Sequence, residues 1–234
     1  YMQLFFTKNI TGNIATFEAE EARHLQVLRK KIGDQLHFVD GAGGMYLGEI
    51  IEVHKKQCLL SILEHNPSYN ERKVKLHIAI APTKNIARLE WFLEKVTEIG
   101  IDEITPILCD RSERKRIRTD RLEKITMSAM KQSLKAYLPK LNELTDYQDF
   151  IKQNNDDLKY IAYCNDDALK HLKKEYSSAE NVTILIGPEG DFSPKEVKLA
   201  LENGYKGISL GASRLRTETA GIAACHIINL ATDE

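Results

Sequence analysis

The chain has 234 residues, 42% of them hydrophobic, and a formal net charge of −1. That length and apolar content exclude a disordered chain and allow one large domain or two small ones, while the near-neutral balance excludes global charge as the means of holding a polyanion. Four scattered cysteines, Cys58, Cys109, Cys164 and Cys225, lack a C-x-x-C spacing and point to reduced thiols rather than a zinc knuckle or redox pair. No apolar run approaches the roughly 18 to 20 residues of a membrane span, and the start of the chain lacks a basic-then-apolar signal pattern, so a soluble, cytoplasmic protein is expected.

The first seventy residues read as short strands, Gln3 to Phe6, Gln35 to Val39, Gly48 to Val53 and Cys58 to Leu63, cut by Gly12, Gly33-Asp34 and Gly41-Ala42-Gly43-Gly44. This is the pattern of a small β-barrel. Glu18 to Arg29 interrupts it as a short helix, in which His24 is a packed or surface side chain because no second ligand is spaced to share a metal with it. Asn66 to Asn70 is the linker, giving expected domains 1–70 and 71–234. Lys75 to Ala81 opens the second domain as a buried strand, and the strand–helix alternation that follows means a parallel sheet covered by helices, an α/β fold. Arg88 to Ile99 puts Leu89, Phe92, Leu93, Val96 and Ile99 on one helical stripe, stopped by Gly100. Ile101 to Leu108 is a strand in which Pro106 implies an edge position or a bulge. Leu122 to Leu138 is a helix and Tyr160 to Cys164 a further strand. Charge segregates here: Arg111 to Lys140 carries ten basic against three acidic residues, a net +7, and Leu141 to Glu180 five against nine, a net −4. The basic run suits either a polyanion-binding face or a solvated helical face.

Val182 to Ile186 is a continuously apolar run suited to a strand buried on both faces. It stops at Gly187-Pro188-Glu189-Gly190, and a helix follows with Ser193 as N-cap, Pro194 at the first position, Glu196 completing a capping box and Gly204 as the stop. Ile208-Ser209-Leu210 repeats the arrangement, ending on Gly211 ahead of an apolar helix through Ile222, Ala223, Ile227 and Leu230. The glycines permit backbone angles closed to other residues and let a ligand approach the main chain, so two ligand loops side by side are expected. Alone, G-P-E-G is equally a plain strand-to-helix turn, since it lacks both P-loop and dinucleotide spacings.

Three stretches carry more together: Lys95 to Ile101 (KVTEIGI), Ile186 to Ser193 (IGPEGDFS) and Leu210 to Ala220 (LGASRLRTETA). In order and spacing they resemble the RsmE family of 16S rRNA uridine methyltransferases, of the SPOUT class. The likeness runs over nearly the whole chain, including His24 to Arg29 and Arg111-Ser112. Two positions depart from the family pattern, Gln3 where a basic residue is usual and Lys131 where a glutamate precedes Gln132-Ser133. The resemblance implies a C-terminal α/β domain with a trefoil knot that binds S-adenosylmethionine, and an N-terminal PUA-like β-barrel that helps hold RNA. It also implies a homodimer acting on 16S rRNA of the small ribosomal subunit, with no metal and no membrane.

By the same resemblance, Cys164, Ile186, Gly187, Pro188, Glu189, Gly190, Leu210, Gly211, Ser213, Leu215 and Thr219 hold the cofactor. By charge type, Arg214 or Arg216 is a candidate to stabilise charge on the uracil oxygens and Glu189 or Glu218 to accept a proton or orient an arginine, while Glu218 equally suits a first-turn helix carboxylate favoured by the dipole and Glu189 a brace of its own loop. RNA contact falls to Arg29, Lys30, Arg111, Arg114, Lys115, Arg116, Arg118 and Lys131. Two rival classes differ in one feature each: a non-catalytic RNA-binding protein would tolerate loss of the glycine loops, and a small-nucleotide enzyme would have no use for the +7 segment. The small residues Ala220, Gly221, Ala223 and Ala224 of the last helix suit close approach by another helix, of a partner or of its own subunit.

Overall fold

A computed structural model describes residues 3–54, 56–154, 158–164, 169–176 and 180–232. The chain divides into two compact units, Tyr1–Glu71 with Met127–Leu138, and Arg72–Thr126 with Pro139–Glu234. The first unit contains β1 (Leu4–Phe6), β2 (Ile10–Thr11), β3 (Ile14–Glu18), α1 (Ala19–Val27), β4 (Gln35–Val39), β5 (Met45–Val53) and β6 (Gln57–Asn66). Its sheet runs β1-β4-β5-β6-β3-β2, antiparallel except where β1 meets β4. Alternation along the strands turns Phe5, Phe17, Phe38, Ile50 and Leu60 inward, all essentially inaccessible to water. Phe17 meets Phe38 edge-on at 5.4 Å and Tyr46 stacks on Phe38 at 4.8 Å; full burial of such rings contributes about 1.5–3 kcal/mol each. Asp40 organises the glycine-rich loop after β4, accepting hydrogen bonds from the backbone of Ala42 and Gly44 and from the Tyr46 hydroxyl. Burial, then the Asp40 carboxylate, pushes the Tyr46 phenol up to about 12.

Two helix ends differ from expectation. Helix α1 stops at Val27 because Arg29 takes a left-handed φ of 56°, letting the Lys30 amide bond back to Leu25. Helix α3 (Thr119–Gln132) likewise ends six residues before Leu138. Leu134 turns left-handed at φ 57° and the Lys135 amide returns to the Met130 carbonyl, which closes the helix. The released segment folds against the first unit, where Met130 and Ala136 join Leu4, Val39 and Met45 in a small core. The β2–β3 hairpin has no counterpart in the sequence-based expectation.

In the second unit β7 (Leu76–Ile80), α2 (Ile86–Ile99) and β8 (Glu103–Leu108) precede α3, followed by β9 (Lys140–Leu141), β10 (Thr145–Asp146), α4 (Tyr147–Gln153), β11 (Leu158–Ala162) and α5 (Leu172–Glu175). The chain closes with β12 (Val182–Ile186), α6 (Pro194–Glu202), β13 (Lys206–Ile208) and α7 (Thr217–Thr232). All pairings are parallel, in the order β10-β8-β7-β12-β11-β13, with β9 also on β8. Side-chain parity separates two cores. Leu76, Ile78, Ile80 and Ile184 pack with Leu89, Phe92, Leu93 and Val96 of α2 and Ala224 and Ile228 of α7. Ala79, Ile161 and Leu185 face the other way, toward Tyr147 and Phe150 of α4 and Ala200 of α6.

Strand β8 is not an edge, because β7 pairs it on one side and β9 and β10 pair it in two pieces. Pro106 falls in the interval between those two short partners, where a missing N–H breaks no ladder. Helix α2 begins on an Asn85 side-chain cap and ends at Gly100, φ 132°. Helix α7 lies close against it because Gly221 has no side chain: a Cβ there would sit 2.5 Å from the Phe92 ring.

Candidate active site

From β7 the chain leaves toward β8, whereas β12 has β11 on its far side, so the connections diverge between β7 and β12. Open α/β sheets bind ligands beyond the carboxyl ends of their strands at such a point. The turn after β12, Gly187 to Asp191, occupies it and is held from four directions. Thr217 donates its hydroxyl to the Gly187 carbonyl at 3.0 Å, fastening the start of α7. Glu189 accepts from the Lys84 amide at 2.9 Å, fastening the loop after β7. Arg111 donates to the Gly190 carbonyl at 2.7 Å, and Asp191 accepts from the Cys164 amide at 3.1 Å. The Thr83–Lys84 loop is itself clamped by Arg114, which donates to the carbonyls of both residues.

Ile186, Gly187 and Pro188 are buried at this turn, with Glu189 and Gly190 exposed. Leu210 packs against the same core as Ile186 and Ala220, Leu215 and Thr219 are half-buried, and Ser213 is exposed. Desolvation and then the Asp191 charge hold the Cys164 thiol above its usual value, with Arg214 opposing them. The expectation that both glycines of G-P-E-G need special backbone angles is corrected. Left-handed geometry falls instead on Asp191, φ 63°, whose own carboxylate caps the Phe192 amide, and on Gly211, φ 122°. A Cβ at Gly190 would meet only the Arg111 side chain at ordinary contact distance. Around Gly211 a Cβ would find His171 Nε2 at 4.0 Å and nothing nearer, so there is room beside this backbone for a ligand.

No hydrogen bond or ion pair among the described residues joins the candidate catalytic side chains to one another. Arg214 and Arg216 are exposed and enter no ion pair among the described residues. Glu189 commits one oxygen to the Lys84 amide. Glu218, in the first turn of α7, is 5% exposed and lies beside Arg88 rather than Arg214 or Arg216, with its Oε1 3.8 Å from Arg88 Nε and its Oε2 without a hydrogen-bond partner. Arg88 escapes a sequence search because it reads as one more polar residue of an amphipathic helix. The available signal was a cation in the first turn, set against the helix dipole.

The expected RNA contacts divide by their partners. Arg111 and Arg114 brace loops as described, Arg118 pairs with Asp120, and Lys131 pairs with Glu21. The last pair gives the Lys131 departure a structural role within the first unit. Lys115 and Arg116 are exposed without an ion pair among the described residues, and Arg29 is exposed on its left-handed turn beside half-buried Lys30. Among the described residues no group of three or more His, Cys, Asp or Glu side chains is placed to hold a metal, and no helix is long and apolar enough to cross a membrane.

The chain, which joins a β-rich N-terminal unit in sequence to a parallel sheet with a glycine turn at its switch point, matches two family models: an RNA methyltransferase PUA domain over residues 17–63 and an RNA methyltransferase domain over residues 70–229. This defines a PUA-containing RNA methyltransferase. The chain belongs to the ribosomal RNA small subunit methyltransferase E family, being 30% identical to the member from Rickettsia conorii over 98% of this chain and 96% of that one. A crystal structure of a probable rRNA-methyltransferase from Porphyromonas gingivalis is 40% identical with a TM-score of 0.92, covering 99% of both chains. A methyltransferase from Legionella pneumophila in complex with bound S-adenosylmethionine is 27% identical with a TM-score of 0.87, covering 99% of this chain and 98% of that one.

Proposed function

We propose that the protein transfers a methyl group from S-adenosylmethionine to N3 of a uridine in 16S rRNA of the small ribosomal subunit, working as a cytoplasmic homodimer. The observation that carries this is the Gly187–Asp191 turn, fixed from four directions at the switch point, together with the open space at Gly211 after β13. The residues fit the cofactor: Gly187 and Gly211 present backbone to an adenine edge, and Leu210 and Leu215 give its faces apolar walls. When bound, the sulfonium supplies an electrophilic methyl group. Arg214 and Arg216, free of ion pairs among the described residues, stabilise negative charge on the uracil oxygens. Glu189 retains an oxygen for the departing proton. Saturable, RNA-independent heat on titrating S-adenosylmethionine tests the reading; no heat would refute it.

Within the basic run Lys115, Arg116 and Lys124 are exposed and their side chains enter no hydrogen bond or ion pair among the described residues, and Lys115 and Arg116 stand together, free to meet phosphate. Replacing both with alanine should reduce the log–log salt slope of RNA binding by about 1.5, at roughly 0.7 to 0.9 per contact, with cofactor affinity unchanged. Arg114→Ala should instead weaken the cofactor, because it releases the Thr83–Lys84 loop. An unchanged slope in the double variant would return these residues to a solvated face.

The homodimer reading is supported by Trp91 on α2 and Leu230 on α7, 47% and 55% exposed on helices that pack side by side. A two-fold contact there would cover both. Ile222→Asp or Ile227→Asp should then give inactive monomers, because the carboxylate would be buried without a partner. Wild-type mass by light scattering decides it: a value near 26.6 kDa with methylation still running rules the dimer out.

A further inference from the structure

Resting on the cofactor reading above, we infer that Arg88 receives the carboxylate of the amino-acid arm of S-adenosylmethionine, and that Glu218 is the buried carboxylate that positions Arg88. Both groups are under-satisfied. The Arg88 guanidinium makes no hydrogen bond among the described residues, and its partner Glu218 stands at 3.8 Å, an ion pair too long for a hydrogen bond. Glu218 is 5% exposed and leaves Oε2 unpartnered, which in a native interior asks for an explanation beyond packing.

The local charge balance asks for one more anion. Arg88 and Glu218 cancel, but each sits in the first turn of a long helix, α2 and α7, whose N-terminal ends add about half a positive charge apiece. The place also fits the cofactor's shape. Thr217, next to Glu218, is bonded to the Gly187 carbonyl, so this charge pair begins one residue from the turn assigned to adenosine. The cofactor has one carboxylate, on an arm tethered to that adenosine through sulfur.

Other cations nearby are committed. Arg111 and Arg114 donate to backbone carbonyls and Lys84 pairs with Glu113. Arg214 and Arg216 lie on an exposed loop, whereas the Arg88 side chain is 38% exposed, reachable yet partly withdrawn from water. A planar guanidinium in such a setting is suited to a two-pronged grip on a carboxylate. The loose Arg88–Glu218 spacing leaves the donors of Arg88 available for it, while Glu218 keeps the guanidinium from swinging into solvent.

The test is isothermal titration of full-length wild type, Arg88→Ala, Arg88→Lys and Glu218→Gln with two nucleosides: S-adenosylhomocysteine, which keeps the amino-acid arm, and 5′-methylthioadenosine, which lacks it. Arg88→Ala should weaken S-adenosylhomocysteine about 10- to 100-fold and change 5′-methylthioadenosine by less than about twofold, the expectation for one lost charge-assisted pair. Arg88→Lys should recover part of the loss. Glu218→Gln should show the same selectivity at about 3- to 10-fold, since Arg88 stays but is no longer held. Equal losses for both nucleosides would overturn the assignment and make Arg88 part of the adenosine cradle or of the fold. No loss for either would also overturn it, and a fall in RNA affinity in that variant would place Arg88 on a phosphate. A wild type that binds neither nucleoside refutes the cofactor reading itself and this assignment with it.

Discussion

Gly211→Val is expected to take S-adenosylmethionine binding below detection in a protein that still folds. The glycine sits at φ 122°, where an L side chain is strained by about 1–3 kcal/mol, yet a Cβ would meet no atom closer than 4.0 Å. The protein itself therefore offers little steric resistance, and strain of that size lowers the melting temperature by only about 2–12 °C in a domain this large. What the valine does obstruct is the open space beside the loop. Circular dichroism establishes the fold and titration the affinity; wild-type affinity in a folded variant would remove Gly211 from the cofactor site. Gly190→Ala serves as the contrast, since its backbone angle is ordinary and its new methyl would only touch Arg111.

Glu196→Ala should cost about 3–5 kcal/mol of stability, read as a shift in denaturant midpoint at constant slope. This residue is 5% exposed and both oxygens are used: Oε1 accepts from the Asp110 amide at 2.8 Å and Oε2 from the Ser193 amide at 2.7 Å. Ser193 reciprocates by capping the Glu196 amide at 3.3 Å and donates its hydroxyl to Asp110 at 2.6 Å. Alanine leaves two amides without acceptors at about 1–3 kcal/mol each and removes half of a capping box. Glu196→Gln retains an acceptor and should lose less. A midpoint unmoved by Glu196→Ala would mean that the junction of β8 with α6 does not contribute to global stability.

The parts legible in the sequence are those that local rules determine. The stripe of α2, the box at Ser193 and Glu196, and the apolar run of β12 all declare themselves within about one helical turn or strand, and the structure contains each. Two-residue strands such as β9 and β10 carry no periodicity, and the end of α3 is decided by Leu134 turning left-handed to meet the first unit. At the site, motif and glycines were visible, but the partners were not. Glu189 finds the Lys84 amide and Glu218 finds Arg88 only after distant segments have been brought together. Nor does any short-range pattern disclose that Arg114 is a strut rather than a free cation.

The position of β12 between β7 and β11 also bears on how the chain is made. His77 and Thr183, opposite one another in the β7–β12 pair, are 106 residues apart in sequence. At about 5–20 residues per second, a nascent chain carries β7 for roughly 5–20 s before its central neighbour exists. Even after β8 has formed, β7 with its Leu76, Ile78 and Ile80 keeps one unpaired edge for the rest of that interval, the kind of surface that recruits other chains. Fragments ending before Val182 should therefore be aggregation-prone, and the rate of folding should be governed by a late, long-range insertion rather than by the helices, which can form early.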